Sequence, residues 1–239
     1  MDSAIIVITL ASFCASFVNA VFATGGVYIT LLASVLVLPI SAAVPLQSAF
    51  AAGSLVARII YFWSNIQWDI VGMFVFGCLF GVYFGTRTFV SLPETHLTLL
   101  LGCVLLVLIW APALKSARPI PAPFVFVGAI HSYLGAMFGV GGVLQPIIIR
   151  TKLTRIAITG TLAAAMASLD VMKVAGYISF GFSYFDYVPH ILGATLAGFL
   201  GTWVGKRVSF RISETGFRRV FRILVSLVAL RLIYKGLMG

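Results

Sequence analysis

Lys173 lies three residues after Asp170 inside an otherwise almost wholly apolar run from Ala157 to Ile178. A charge in such a run is costly and marks function by default when the run crosses a bilayer. Two chemistries suit this spacing. The i,i+3 pair can neutralise itself on one helix face. Alternatively, Lys173 adds attraction for an anion while Asp170 carries a coupling proton. Arg58 sits at a comparable place in the first half of the chain, 116 residues before Val174, the residue after Lys173. It can either join that path or snorkel to the interface. Asn19 and His131 fall in two further apolar runs and are candidates for a polar relay, with packing as the alternative role for His131.

Those last two runs each carry a glycine break. The first reads Phe22-Ala23-Thr24-Gly25-Gly26-Val27-Tyr28, and the second Phe138-Gly139-Val140-Gly141-Gly142-Val143-Leu144. Gly25 and Gly141 are 116 residues apart. Glycine weakens a helix and permits turns or close backbone approach. In lipid, broken backbone persists only where protein buries it or where it lines a cavity. Matching breaks in two halves therefore point to a transport site. A helix starting at such a break presents backbone N–H groups and a positive dipole end to an anion. Thr24 and Tyr28 flank the first break, and Gln145 flanks the second. Gln47 and Thr161 lie early in the runs that follow, where an amide or hydroxyl can donate to oxyanion oxygens. The expected binding set is thus Thr24, Gly25, Gly26, Tyr28, Gln47, Gly139, Gly141, Gly142, Gln145, Thr161 and Lys173. The competing reading is that the glycines only permit tight helix packing. That packing role is expected for Gly77, Gly81 and Gly85, spaced four apart.

The elements that would hold these residues are all helical and membrane-embedded. The chain of 239 residues is 61% hydrophobic and 9% charged, against about 25% charge in a soluble domain, and its mean hydropathy is +1.12. Eight spanning segments are expected, at roughly 3–38, 42–63, 69–90, 96–114, 123–149, 156–178, 186–205 and 215–237. The first and fifth contain the breaks. At about 1.5 Å per residue the first is too long for one pass through a core about 30 Å thick. It lacks a basic n-region and an A-x-A-like site, so it reads as a retained segment. The halves repeat, 1–118 and 119–239, with four segments each. Trp68-Asp69 matches Phe185-Asp186, and the Gly81/Gly85/Arg87 pattern returns 120 residues later as Gly201/Gly205/Arg207. Four passes per half predicts repeats of the same orientation, unless a broken segment counts as two passes.

Basic residues set the expected orientation. Arg87, Arg150, Lys152, Arg155, Lys206, Arg207, Arg211, Arg218 and Arg219 are assigned to one side, and Lys115, Arg118 and Lys235 to the other. The positive-inside rule places the first side in the cytoplasm and both termini outside. The net charge of +10 is read the same way and not as nucleic-acid binding. Cys14, Cys78 and Cys103 show no CxxC spacing and read as buried small hydrophobes. No metal-ligand cluster and no Walker-type loop is present in the sequence, so no metal or cofactor is expected.

The chain resembles the sulfite exporter TauE/SafE family, also called the toluenesulfonate uptake permease family. The resemblance rests on Phe138-Gly139-Val140-Gly141-Gly142 with Pro146, on Arg155 to Ala163, on Trp68-Asp69, and on the glycine-arginine motif closing each half. It implies duplicated four-span repeats in a bacterial cytoplasmic membrane that move small sulfur-containing or organic anions. The expected function is a secondary transporter of a sulfur oxyanion or organosulfonate such as sulfite or sulfoacetate, with a proton or sodium as coupling ion. An anion channel and an intramembrane enzyme acting on a lipid phosphate are the other readings. The enzyme lacks a nucleophile with an adjacent base. A homodimer is compatible with all three.

Overall fold

A computed structural model describes residues 2–22, 25–110, 123–149, 151–208 and 214–238. Thr24, Lys115, Arg118, Arg150, Arg211 and the boundary between 118 and 119 lie outside the described residues, as do the side chains of Arg155, Arg218 and Arg219. The described chain is helical and contains no strand. Its helices are α1 (Asp2–Phe22), α2 (Gly26–Val37), α3 (Ile40–Phe62), α4 (Trp68–Ser91), α5 (Glu94–Trp110), α6 (Pro123–Phe138), α7 (Leu144–Ile148), α8 (Arg155–Ser179), α9 (Val188–Val208) and α10 (Glu214–Met238). Short 3₁₀ turns precede α4 and α9. Five of these helices are long and apolar enough to cross a membrane. Apolar side chains also cover the outside: Phe76, Phe80 and Phe84 on α4, and Leu196, Leu200 and Trp203 on α9, are exposed. A hydrocarbon surround suits such a surface, whereas water does not.

The eight expected segments resolve into ten helices because each glycine segment splits in two. Gly25 takes φ +99° before α2, and Gly139 and Gly142 take φ +74° and +68° before α7. These left-handed conformations suit glycine and stop the helix. The chain then turns back on itself. Gly26 packs directly against Ala15 and Asn19 of α1, although a straight helix would carry it about 16 Å beyond Ala15. In the second half, Leu144 N–H reaches the ring of His131, thirteen residues earlier. Both segments are therefore helical hairpins that return toward the side they came from.

Pairwise contacts give the helix directions. Gly77, Gly81 and Gly85 of α4 meet Val125, Ala129 and Tyr133 of α6 in rising order, so these helices run parallel. Gly193, Gly201 and Gly205 of α9 meet Thr9, Phe13 and Phe17 of α1 in the same way. The glycines let backbones approach closely, as expected for small-residue packing. Gly160 near the start of α8 meets Phe62 at the end of α3. Ser48 near the start of α3 lies beside Asp170 late in α8. So α3 and α8 are antiparallel. Near the end of α8, Gly176 meets Val82 and Thr86 of α4, which makes α8 parallel to α4. On α3, Gly53 meets Thr195 of α9, and Tyr184 OH, just before α9, donates to Pro45 O (3.2 Å).

Two sets result: α1, α3 and α9 point one way, and α4, α6 and α8 the other. Equivalent helices of the halves (α1 and α6, α3 and α8, α4 and α9) are thus opposed. The repeats are inverted, and the expectation of a shared orientation is corrected. The physical reason is the hairpin: a broken segment that returns contributes an even number of passes, leaving an odd number per half.

The inversion also moves a charge. Arg87, at the end of α4, lies at the opposite end of the molecule from Lys206 and Arg207 at the end of α9, not beside them. Lys206 sits over Tyr61 of α3 (4.2 Å) and Arg207 over Trp203 (3.6 Å). Arg222, exposed, lies over Trp110 (5.8 Å), and Arg231 is exposed on α10. Cys78 is buried, but Cys14 and Cys103 are exposed on the outer surface, which corrects the expectation for those two.

The inversion is checked by labelling. Asn65 and Ser183 lie at matching exposed joints of the two halves. In a background lacking Cys14, Cys78 and Cys103, single substitutions Asn65→Cys and Ser183→Cys should react with a membrane-impermeant maleimide from opposite sides. Reaction of both from one side would contradict inverted repeats.

Candidate functional site

The two hairpins face each other across α3 and α8 and enclose a cavity of about 110 Å³. At about 10–15 Å³ of such space per water, it has room for several waters or for small polyatomic ions. α1 contributes Asn19; the first break and α2 contribute Gly25, Gly26 and Tyr28; α3 contributes Gln47 and Arg58. The second hairpin adds His131, Gly139, Gly141, Gly142 and Gln145, and α8 adds Asp170 and Lys173. Fourteen of the fifteen residues singled out from the sequence fall among the described ones, and all but Thr161 line this one cavity. Thr161 is fully buried at the start of α8, where its hydroxyl accepts Gln67 N–H (3.0 Å) and ties the entry of α4 to α8. Sequence spacing alone missed Ser54, Phe50 and Leu55, which complete the α3 wall.

Three backbone donors at the breaks are held by a side chain of the same hairpin. Gly26 N–H donates to Asn19 Oδ1 (2.9 Å). Val143 and Leu144 N–H both donate to His131 Nδ1 (3.2 and 3.1 Å). One side chain from the outgoing limb of each hairpin thus caps the returning limb. Gly26 packs face-on against Asn19, and Gly141 against the His131 ring. Any side chain at Gly141 would first displace His131. Those two glycines serve the cap as well as the cavity. His131 Nδ1 must be unprotonated to accept two N–H groups, so a relay through that atom would break the cap. Phe74 meets the ring edge-on at 5.7 Å and helps fix it.

Gln47 is also committed. Its Nε2 donates to Val27 O (2.8 Å) and to Thr30 Oγ1, while the Thr30 hydroxyl itself donates to Val27 O (3.1 Å). Both amide protons are used, and the unpartnered buried atom is Oε1, an acceptor. Gln47 therefore holds α2 against α3 and does not offer its amide protons to an anion. Asn19 Nδ2 and the Gln145 amide, in contrast, have no hydrogen-bond partner among the described residues.

Three charged side chains line the cavity. Lys173, 3% exposed, donates to Asp170 at 3.3 Å, so the ion pair expected from the spacing is formed. Arg58 donates from Nε to Ser54 O (3.3 Å), one turn back on its own helix. It has no carboxylate partner among the described residues. Arg58 lines the cavity and is half-buried. The lining therefore carries one unneutralised positive charge. No metal-ligating cluster occurs among the described residues.

An internal cation-bearing cavity between two glycine-broken hairpins now stands beside the sequence motifs. The chain matches the family model described as Sulfite exporter TauE/SafE over residues 8–232. It belongs to that family. Neither a curated protein nor a solved structure matches it. The TauE/SafE assignment makes this an integral, multi-pass membrane transporter of sulfur anions. TauE/SafE is a family of transporters, not enzymes.

The cap is open to test. His131→Leu removes the acceptor for two backbone N–H groups, and each unsatisfied buried donor costs about 1–3 kcal/mol. His131→Asn restores a carbonyl acceptor of the kind Asn19 supplies in the other hairpin. Melting in detergent should fall sharply for His131→Leu and recover in part for His131→Asn. Equal melting temperatures for wild type and His131→Leu would remove the capping role.

Proposed function

We propose that this protein is a secondary permease for a small sulfur oxyanion or organosulfonate, such as sulfite or sulfoacetate, and that Arg58 is its principal anion-binding residue. The observation that carries the reading is the position of Arg58: on the wall of an internal cavity, with no carboxylate beside it among the described residues. In a poorly solvated site one such charge attracts an anion far more strongly than in water. The planar guanidinium can offer two parallel N–H groups to one sulfonate or sulfite. Asn19 Nδ2 and the Gln145 amide are the neighbouring uncommitted donors. Lys173 contributes less in this state because Asp170 neutralises it.

The orientation follows from the cations. Lys152, Lys206 and Arg207 share one end of the molecule, and the opposite end carries Arg87 and Lys235. Positive-inside bias puts the first end in the cytoplasm and both termini outside. Arg58, four residues from the end of α3, lies toward the cytoplasmic side of the cavity.

Uptake of radiolabelled sulfite by proteoliposomes tests the reading. Wild-type protein should accumulate sulfite above equilibrium when an ion gradient is imposed, whereas a channel would only equilibrate it. Arg58→Gln should weaken binding at least about tenfold, the equivalent of 1.4 kcal/mol, with Arg58→Lys intermediate. Wild-type affinity in Arg58→Gln would overturn the site.

Lys173→Met should weaken sulfite binding less than Arg58→Gln does, because its charge is already paired. Isothermal titration of both variants in one detergent decides the order, and a larger loss in Lys173→Met would reverse the assignment of the principal cation.

A further inference from the structure

Arg58 and Lys173 stand at comparable positions in the two repeats. α3 begins at Ile40 and α8 at Arg155, so each cation stands eighteen residues after the first residue of its helix. The helices are antiparallel, which places the two cations toward opposite faces of the membrane. Ser48 lies beside Asp170. The ten residues of α3 between that level and Arg58 correspond to about 15 Å. Their backbone positions are thus well separated along the helix axes. Both nevertheless line the same cavity.

One of the neighbouring differences between the repeats changes the charge beside the cation. Fifteen residues into its helix, the first repeat has Leu55 and the second has Asp170. Both line the cavity. Arg58 is therefore open, and Lys173 is closed by its 3.3 Å ion pair. We propose that Lys173 is a second anion-binding station, related by the repeat to Arg58, that the Asp170 carboxylate masks and that a proton on Asp170 uncovers. This rests on the reading of Arg58 as the first station.

The step balances simply. A proton from water adds to a carboxylate oxygen of Asp170. The carboxyl becomes neutral, the ion pair is lost, and Lys173 keeps its charge for an oxyanion. One proton and one negative charge enter the second station together, which couples anion movement to a proton. The groups facing the pair are few. Ser48 approaches Asp170 from α3 and Tyr184 from the joint before α9. His131 on α6 and Cys78 on α4 lie within electrostatic reach of Lys173. His131 is held as a neutral acceptor by two backbone N–H groups. Cys78 is buried and faces Gly128 O. Asp170 is the carboxylate among them.

The test is equilibrium binding of radiolabelled sulfate, a probe whose charge is fixed over the window, to the whole chain in nanodiscs at about pH 8 and about pH 5, a range that brackets a buried carboxyl. Wild type should bind one sulfate per chain at the higher pH and two at the lower. Asp170→Asn and Asp170→Leu, the latter restoring the first repeat's own residue, should bind two at both. Lys173→Met should bind one at both. Melting curves on each variant establish that it is folded, and the two Asp170 substitutions differ enough that one suffices. A wild-type chain with the same stoichiometry at both pH values overturns the second station. A wild-type step surviving in the Asp170 variants does so too, as do two sulfates on Lys173→Met at low pH. One sulfate retained by Arg58→Gln at the higher pH would instead overturn the reading of Arg58, and it is distinguishable because the Asp170 variants report independently.

Discussion

A backbone N–H released inside a bilayer must find an acceptor in the protein, since hydrocarbon offers none. The rest of this structure depends on how two broken helices meet that demand. Asn19 and His131 reach from the outgoing limb of each hairpin to the first N–H groups of the returning limb. Such an arrangement is possible only if the limbs lie nearly in contact. Gly26 and Gly141 provide that proximity by packing on the capping side chains themselves. Two different residues, one turn apart in the repeat, perform the same task. What the fold requires at this point is an acceptor at a given place rather than a particular side chain.

The topology follows from the caps. Because each capped segment turns back, it adds no net crossing to its half. The halves are then opposed, and α3 and α8 become antiparallel partners at the centre. This brings the two hairpins against one cavity from opposite sides. It also gives the cavity walls their contributions from both repeats: Arg58 and Gln47 from one, Asp170, Lys173 and Gln145 from the other. Glycine-lined contacts of α4 with α6 and of α1 with α9 lock each half onto the hairpin of the other.

Electrostatics in the cavity is set by what the caps and braces leave over. Three of the backbone donors at the breaks, those of Gly26, Val143 and Leu144, are engaged by Asn19 and His131. The protons of Gln47 hold α2 to α3. Of the two repeat-related cations, Lys173 has a carboxylate partner and Arg58 has none among the described residues. That asymmetry between the halves leaves one cation unpaired among the described residues and holds the other in an ion pair.

Much of this was legible in the sequence. Apolar runs of the right length mark the helices because burial in lipid demands about twenty apolar residues per pass, and paired glycine segments mark the hairpins. The candidate residues were found by rarity, since polar and charged groups survive in such runs only where something uses them, and most of them meet in one cavity. Three matters were decided only by tertiary structure. The direction in which a glycine break sends the chain depends on packing against α1 or α6, and nothing local distinguishes a bend from a reversal. That reversal inverted the repeats and moved Arg87 to the other end. Whether a donor is available depends on which acceptor lies nearby. Gln47 and Thr161 as candidate ligands and His131 as a candidate relay look equally available in sequence, yet each is engaged by a contact 13 to 94 residues away. And the isolation of Arg58 from any carboxylate among the described residues is a property of the folded arrangement, because charge pairing in space is not bounded by spacing along the chain. Composition and periodicity determined the environment and the list of candidates; the tertiary structure decided which of them are still free to bind.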